Sequence, residues 1–300
     1  MSFRNEAYSD LVNDVLFDAF YTKRSNRGMI ASIRQFAEVI IRKILDLPES
    51  EKVTLGDGKV LKNLRQASGN NQILMDSINN IRTIGNKCTH TQEIEPITNQ
   101  DVLECKDNLL NLYASLFVMY FKKYEFGTNS EVIRAFSILP PIIRYKCLNE
   151  LYQHNKSNLS VIDKLSLVLL KASDKERAVR WVEERKEELS NLLPYTEEVI
   201  EEHRKERCNK FAQILIENAP ASMYVLCMDR ILKVDEIIRK NGLLYNNFEQ
   251  AKDLYLKTGI LKGDSDEVVD FNSLMTFVYL GRINKGNPKV ANIDSYTIIN

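Results

Sequence analysis

The stretch Met75–His90 reads MDSINNIRTIGNKCTH. Its apolar residues Met75, Ile78, Ile81 and Ile84 recur every three residues, a helical rather than a strand period. On the same helix Arg82, Asn86 and His90 follow at steps of four. Four residues turn a helix through about 400°, so these side chains form one polar stripe that drifts by only ~40° per step. The stripe runs roughly 12 Å from end to end. A cation, an amide and an imidazole in that alignment can hold a phosphate and move a proton. The same three residues also fit an ordinary polar helix end, with Gly85 lowering helix propensity in the middle.

Working outward, the preceding segments carry the same period. Met29–Leu45 (MIASIRQFAEVIIRKIL) places Ile30, Ile33, Phe36, Ala37, Ile40, Ile41 and Ile44 on one wide apolar stripe, the mark of an amphipathic helix. On its polar side Arg34, Glu38 and Arg42 sit four apart, which surface ion pairing explains without any function. Ala7–Tyr21 is a shorter helix of the same kind, and Thr22–Gly28 a basic turn. LGDGK at 55–59 is a turn by its glycines and lacks the spacing of a phosphate-binding loop. Downstream, Thr98 with Asp101 forms a capping-box pattern that opens a long helix through about Tyr124. The apolar end of that helix, LYASLFVMYF, reads as a core helix or a dimer interface.

Phe126–Ser130 (FGTNS) marks the expected boundary, with one domain over residues 1–126 and a second over 127–300. The second half stays helical. Glu131–Leu139, Ile142–His154 and Val161–Lys171 are short amphipathic helices. Ser173 with Glu176 is a second capping-box pattern, opening the charged helix DKERAVRWVEERKEELSNLL; Pro194 precedes a comparable segment, TEEVIEEHRKERCNKFAQILIEN. Both read as solvated helices with a narrow apolar seam, or as a surface for a partner protein. Pro220–Lys240, Asn247–Lys257 and Phe271–Leu280 complete the series, and the tail from Gly281 is polar. The expected fold class is all-α.

Composition narrows the function classes. Lys+Arg and Asp+Glu both number 41, so bulk charge advertises neither a nucleic-acid nor a membrane surface, and any basic site is local. Local basic spots stand at Lys23–Arg27 and Lys122–Lys123. No apolar run approaches the ~20 residues of a membrane span. The N-terminus MSFRNEAYSD lacks the apolar centre of a signal peptide. The five cysteines are scattered without a CxxC pair, which reads as free thiols in a reducing, cytoplasmic compartment. His90, His154 and His203 are too dispersed for a zinc site, and the adjacent glutamates lie on solvated helix faces, so no metal and no cofactor is expected.

Taken together, IASIRQFAEVIIRKIL, then SINNIRTIGNKCTH, then a long apolar helix resemble a bacterial helical domain of uncharacterised function. That domain is sometimes attached to restriction-enzyme subunits and belongs to the HEPN superfamily of four- to five-helix bundles. The resemblance covers roughly residues 1–125 and rests on Arg34 and Glu38 in the earlier helix and on Arg82, Gly85, Asn86 and His90 in the later one. It implies a bundle that commonly dimerises, placing two copies of the polar stripe across an interface. Active members of the superfamily are metal-independent ribonucleases. The resemblance implies His90 as the base or acid, Arg82 as the phosphate clamp and Asn86 as the orienting amide.

One departure bears on catalysis. Catalytic members usually carry Arg directly before the polar residue, five positions ahead of the His; here that position is Gly85. The nearest Arg on the helix is Arg82, displaced by three residues or about 4.5 Å. Gly85 also suits close packing between helices. The resemblance implies a cytoplasmic prokaryotic protein of a defence or toxin type, a homodimer that binds or cleaves RNA. Against it stands a non-catalytic module whose first domain dimerises while its C-terminal domain docks a partner protein. A third reading has Arg82 and Asn86 hold a nucleotide-like ligand without chemistry.

Overall fold

The computed structural model describes residues 2–89, 94–195, 201 and 219–282. Among them the fold is all-α, with no strand. No helix of the described residues is long and apolar enough to cross a membrane. The chain divides into two compact units, one made of residues 1–147 with the segment from Tyr245, the other of Leu148–Leu244.

The first unit holds α1 (Ser9–Phe20), α2 (Asn26–Leu45), α3 (Gly58–Ala67), α4 (Gln72–Thr89), α5 (Asn99–Lys123) and α6 (Ser130–Phe136). Ser25 caps α2 by accepting from the Gly28 N–H, and Asp57 caps α3 through two backbone N–H groups. Both arms of the Thr98–Asp101 capping box form at the start of α5. Its apolar end, Leu112–Phe121, is buried throughout, so it is the core helix of this unit. Phe36 from α2 meets Tyr113 edge-on at 5.5 Å, and Ile33, Ile40, Ile78, Ile81 and Leu109 are fully buried around them.

The expected division at 126/127 falls inside this unit. Phe126 and Phe136 of the following turn and α6 pack on Phe121 at 4.8 and 5.1 Å. Two late helices return to the same core: α12 (Phe248–Thr258) and α13 (Asp266–Val278). Phe271 lies 6.3 Å from Phe117, Phe277 stacks on Phe36 at 5.8 Å, and Phe248 approaches Tyr113 at 6.2 Å. Asp270 fastens α13 to the rest, accepting hydrogen bonds from Arg4 Nε, Lys123 Nζ and Tyr124 Oη at 2.8, 2.9 and 2.9 Å.

The state of Asp270 gives a pH dependence. Burial alone would push its carboxyl up, but the donors Lys123, Arg4 and Tyr124 outweigh burial and hold it below the usual carboxylate range. A depressed folded value contributes stability above the unfolded pKa of about 3.9, and that contribution is lost as pH falls through the folded value. Asp270→Asn is therefore expected to lower the melting temperature at neutral pH and to flatten the acid limb. Thermal melts between about pH 7 and 2 check this; wild-type and variant curves running parallel over that range would contradict it.

The second unit contains α8 (Leu159–Ala172), α9 (Lys175–Glu183), α10 (Lys186–Ser190) and α11 (Met223–Asn241), while α7 (Pro141–His154) begins in the first unit and ends in the second. Within it α8, α9 and α11 pack together around Val168, Ala178, Val182, Cys227 and Ile231. Two expectations change here. The N-cap of α9 is Asp174, not Ser173, because the carboxylate accepts the Arg177 N–H at 2.7 Å. The charged segment is also two helices rather than one. The Arg185 guanidinium occupies the Trp181 carbonyl at 3.0 Å and lies 4.7 Å over the Trp181 ring, and the Arg185 N–H turns back to Val182. The segment 196–218, including His203 and Cys208, lies outside the described residues apart from Glu201.

Candidate functional site

The polar stripe of α4 forms as the period requires, with Ile78, Ile81 and Ile84 inward and Arg82 and Asn86 half-buried at the margin. His90 lies outside the described residues. Arg82 and Asn86 do not converge. Helical side chains lean toward the helix N-terminus, and Arg82 leans that way: its Nη2 donates to Asn79 Oδ1 at 2.7 Å and its chain runs beside Gly56. A nucleotide-like ligand held jointly by Arg82 and Asn86 has no basis in this placement.

The guanidinium that meets Asn86 comes from α2. Arg34 Nη1 donates to Asn86 Oδ1 at 2.6 Å and to Thr89 Oγ1 at 3.2 Å, and Arg34 Nε faces Glu38 Oε1 at 3.8 Å. Gly85 is what admits it. A Cβ built on Gly85 would stand 3.0 Å from Arg34 Cδ, so the arginine stem lies flat over the bare helix backbone. Any side chain at position 85 would require the Arg34 stem to shift by a few tenths of an ångström from its present place. Burial pushes the Glu38 carboxyl up, with Arg34 and then Arg42 working against that shift.

Two further residues of α2 reach the same end of α4. The Arg27 guanidinium donates to the backbone carbonyls of Lys87 and, at 2.7 Å, of Glu95. It thereby ties together the two chain segments that flank residues 90–93, and places a cation at the C-terminal end of α4 where the helix dipole favours one. Asn26 Nδ2 donates to the Ile97 carbonyl at 3.0 Å and to Asn99 Oδ1 at 3.1 Å. Sequence reading missed these convergences, yet a signal exists. Arg27, Arg34 and Glu38 are seven and four residues apart, which aligns them within about 40° on α2.

The chain matches no family model, no curated protein and no solved structure.

The remaining candidates divide cleanly. Arg42 turns away from the cluster, its guanidinium 5.6 Å from the Tyr8 ring centroid and donating to the Pro48 carbonyl at 3.1 Å. Of the basic spots, Arg24 pairs with Asp18 and Lys123 with Asp270, leaving Lys23 and Lys122 exposed. Burial pushes the thiols of Cys105 and Cys227 up to about 12 and about 11 and raises that of Cys88, so none of the three is a thiolate nucleophile near neutral pH. His154 is exposed at the end of α7, with Nδ1 2.8 Å from the Glu150 carbonyl. Among the described residues no group of three His, Cys, Asp or Glu side chains is placed to hold a metal ion.

Proposed function

We propose that this is a cytoplasmic prokaryotic protein of a defence or toxin type, with an N-terminal HEPN-like bundle that acts as a homodimer, binds RNA and cleaves it without a metal. One observation carries the reading: Arg34 crosses Gly85 to meet Asn86, which supplies beside the polar residue the guanidinium that position 85 lacks. The clamp thus passes from Arg82 to Arg34.

The chemistry asked of the site is attack of a ribose 2′-oxygen on the adjacent phosphorus. The O2′–P bond forms and the P–O5′ bond breaks, leaving a 2′,3′-cyclic phosphate and a 5′-hydroxyl. His90, which follows Thr89 in the sequence, would take the 2′ proton or protonate the leaving oxygen. Arg34 would face the charge that develops on the phosphoryl oxygens, with Asn86 fixing its plane and Arg27 anchoring the flanks of the His90 segment.

A second reading also has an observation in its favour. The Arg34 side chain is only 15% exposed and is already engaged by Asn86, Thr89 and Glu38. A guanidinium so occupied serves equally as a staple between α2 and α4 in a non-catalytic module, one that dimerises while the rest of the chain docks a partner protein.

Cleavage of mixed RNA in EDTA separates the two. Under the ribonuclease reading His90→Ala lowers the rate by about 100-fold or more and Arg34→Ala by about 100-fold, at unchanged oligomeric state. Arg82→Ala leaves the rate near that of the wild type. Absence of cleavage above background, or equal cleavage by all four proteins, sinks the ribonuclease reading and leaves the interaction module.

A further inference from the structure

The helix α3 carries charge of one sign only. From Gly58 through Met75 the chain has Lys59, Lys62 and Arg65 and no acidic residue, in a protein whose formal net charge is zero. Successive residues of a helix stand about 100° apart, so the three cations cover an arc of about 120°. Val60, Leu61 and Leu64 lie on the opposite side, where Leu64 is fully buried. All three basic residues are exposed.

Nothing among the described residues answers those charges: none of the three side chains enters an ion pair or a hydrogen bond there. Other exposed cations of the first unit do, Arg24 with Asp18, Lys123 with Asp270 and Arg134 with Glu131. The acids that bracket the stretch are engaged locally. Asp57 accepts the Lys59 and Val60 N–H groups as N-cap, and Asp76 accepts from Gln72 Nε2 at 2.7 Å. Side chains three residues apart are neighbours on a helix, so Lys59 repels Lys62 and Lys62 repels Arg65. A polyanion laid along this face would turn that repulsion into attraction.

The composition of the face selects the polyanion. It has no aromatic and no exposed large apolar side chain, so it offers a membrane nothing to insert. Lysine is depleted at the centres of protein–protein interfaces, where aromatic residues are enriched. A row of exposed cations without aromatics suits the phosphates of a nucleic-acid backbone, which it holds without reading sequence. The position agrees. Arg82, one turn before Asn86 on α4, runs its stem beside Gly56, so the start of α3 adjoins the α2–α4 cluster.

We propose that Lys59, Lys62 and Arg65 form a surface that holds the phosphate backbone of single-stranded RNA beside the α2–α4 cluster. This rests on the RNA-binding reading above and not on cleavage.

The test measures binding of single-stranded 2′-O-methyl RNA by the full chain between about 50 and 200 mM salt. That RNA lacks the attacking hydroxyl, so it reports binding alone. In Lys59→Gln/Lys62→Gln/Arg65→Gln the dissociation constant should rise by about tenfold or more at the low-salt end. The slope of log affinity against log salt should become shallower by about 2, at about 0.7 for each of three phosphates. The melting temperature should hold or rise, because the repulsion within α3 is relieved. The control Lys156→Gln/Lys233→Gln/Lys240→Gln removes three exposed charges from the second unit and should keep the wild-type slope. Three results overturn the proposal: no binding of RNA by the wild type, the same loss of slope in both triple variants, or tighter α3-dependent binding of phosphatidylserine vesicles or polyglutamate than of RNA. Cleavage of ordinary RNA is read separately. Cleavage by the wild type with undiminished binding in the α3 variant defeats this surface and leaves the ribonuclease reading standing. Binding that depends on α3 without any cleavage supports the surface and defeats the ribonuclease reading.

Discussion

Gly281→Ala is expected to destabilise the protein by about 3 kcal/mol, the sum of a strained backbone and an overpacked contact. At φ +70° an L-residue adopts the left-handed region at a cost of about 1–2 kcal/mol. The added methyl would also stand 2.5 Å from the Cβ of Leu16, which is fully buried on α1 and has nowhere to go. Moving the turn outward would stretch the 2.6 Å hydrogen bond from the Gly281 N–H to Asn13 Oδ1. Overpacking of this kind costs about 1–3 kcal/mol. Gly69→Ala is the matched control, because Gly69 has φ +60° with nothing within 4 Å of its would-be Cβ, so it shows the backbone cost alone. Urea unfolding of both variants checks the difference; equal losses would mean that the Leu16 contact yields freely. A loss of this size is a large share of a typical stability of about 5–15 kcal/mol.

What the sequence reveals here is local, and what it conceals is long-range. The period of Met29–Leu45 and Met75–Thr89 announces α2 and α4, and the Thr98–Asp101 pair announces the start of α5, because each signal lies within a few residues of its consequence. The one-residue shift of the α9 cap to Asp174 is of the same local kind, a contest between neighbouring acceptors. Other features depend on partners far along the chain. Phe248, Phe271 and Phe277 return to Tyr113, Phe117 and Phe36 across more than a hundred residues, and no periodicity encodes that. The hydrogen bond from Arg34 to Asn86 spans 52 residues. The direction of Arg82, by contrast, has a local cause: Asn79, three residues earlier on the same helix face, offers its guanidinium an acceptor.

Moving the guanidinium from α2 to α4 tests the arrangement most severely. Gly85→Arg alone forces a side chain into the space of Arg34, whose Cδ is 3.0 Å from the new Cβ; Arg34→Ala alone leaves the Asn86 amide without its cation. Each single variant should lose stability. If the ribonuclease reading holds, each should also lose most of the RNA cleavage. In the double variant Arg34→Ala/Gly85→Arg the obstruction is gone. The remaining Cβ of residue 34 lies 3.5 Å from the Cβ at 85, an ordinary contact, and the new arginine can fill the vacated space. The double variant should therefore be better than the sum of its parts. A double-mutant cycle should show a favourable coupling of about 1–3 kcal/mol in unfolding free energy, the range found for residues in direct contact. Additive losses would mean that position 85 cannot host the cation and that Gly85 is required for the approach of α2 itself. Coupling in stability with no recovery of cleavage would place Arg34 as a staple between the two helices. Recovery of both would show that the site needs a guanidinium beside Asn86 and is indifferent to which helix supplies it.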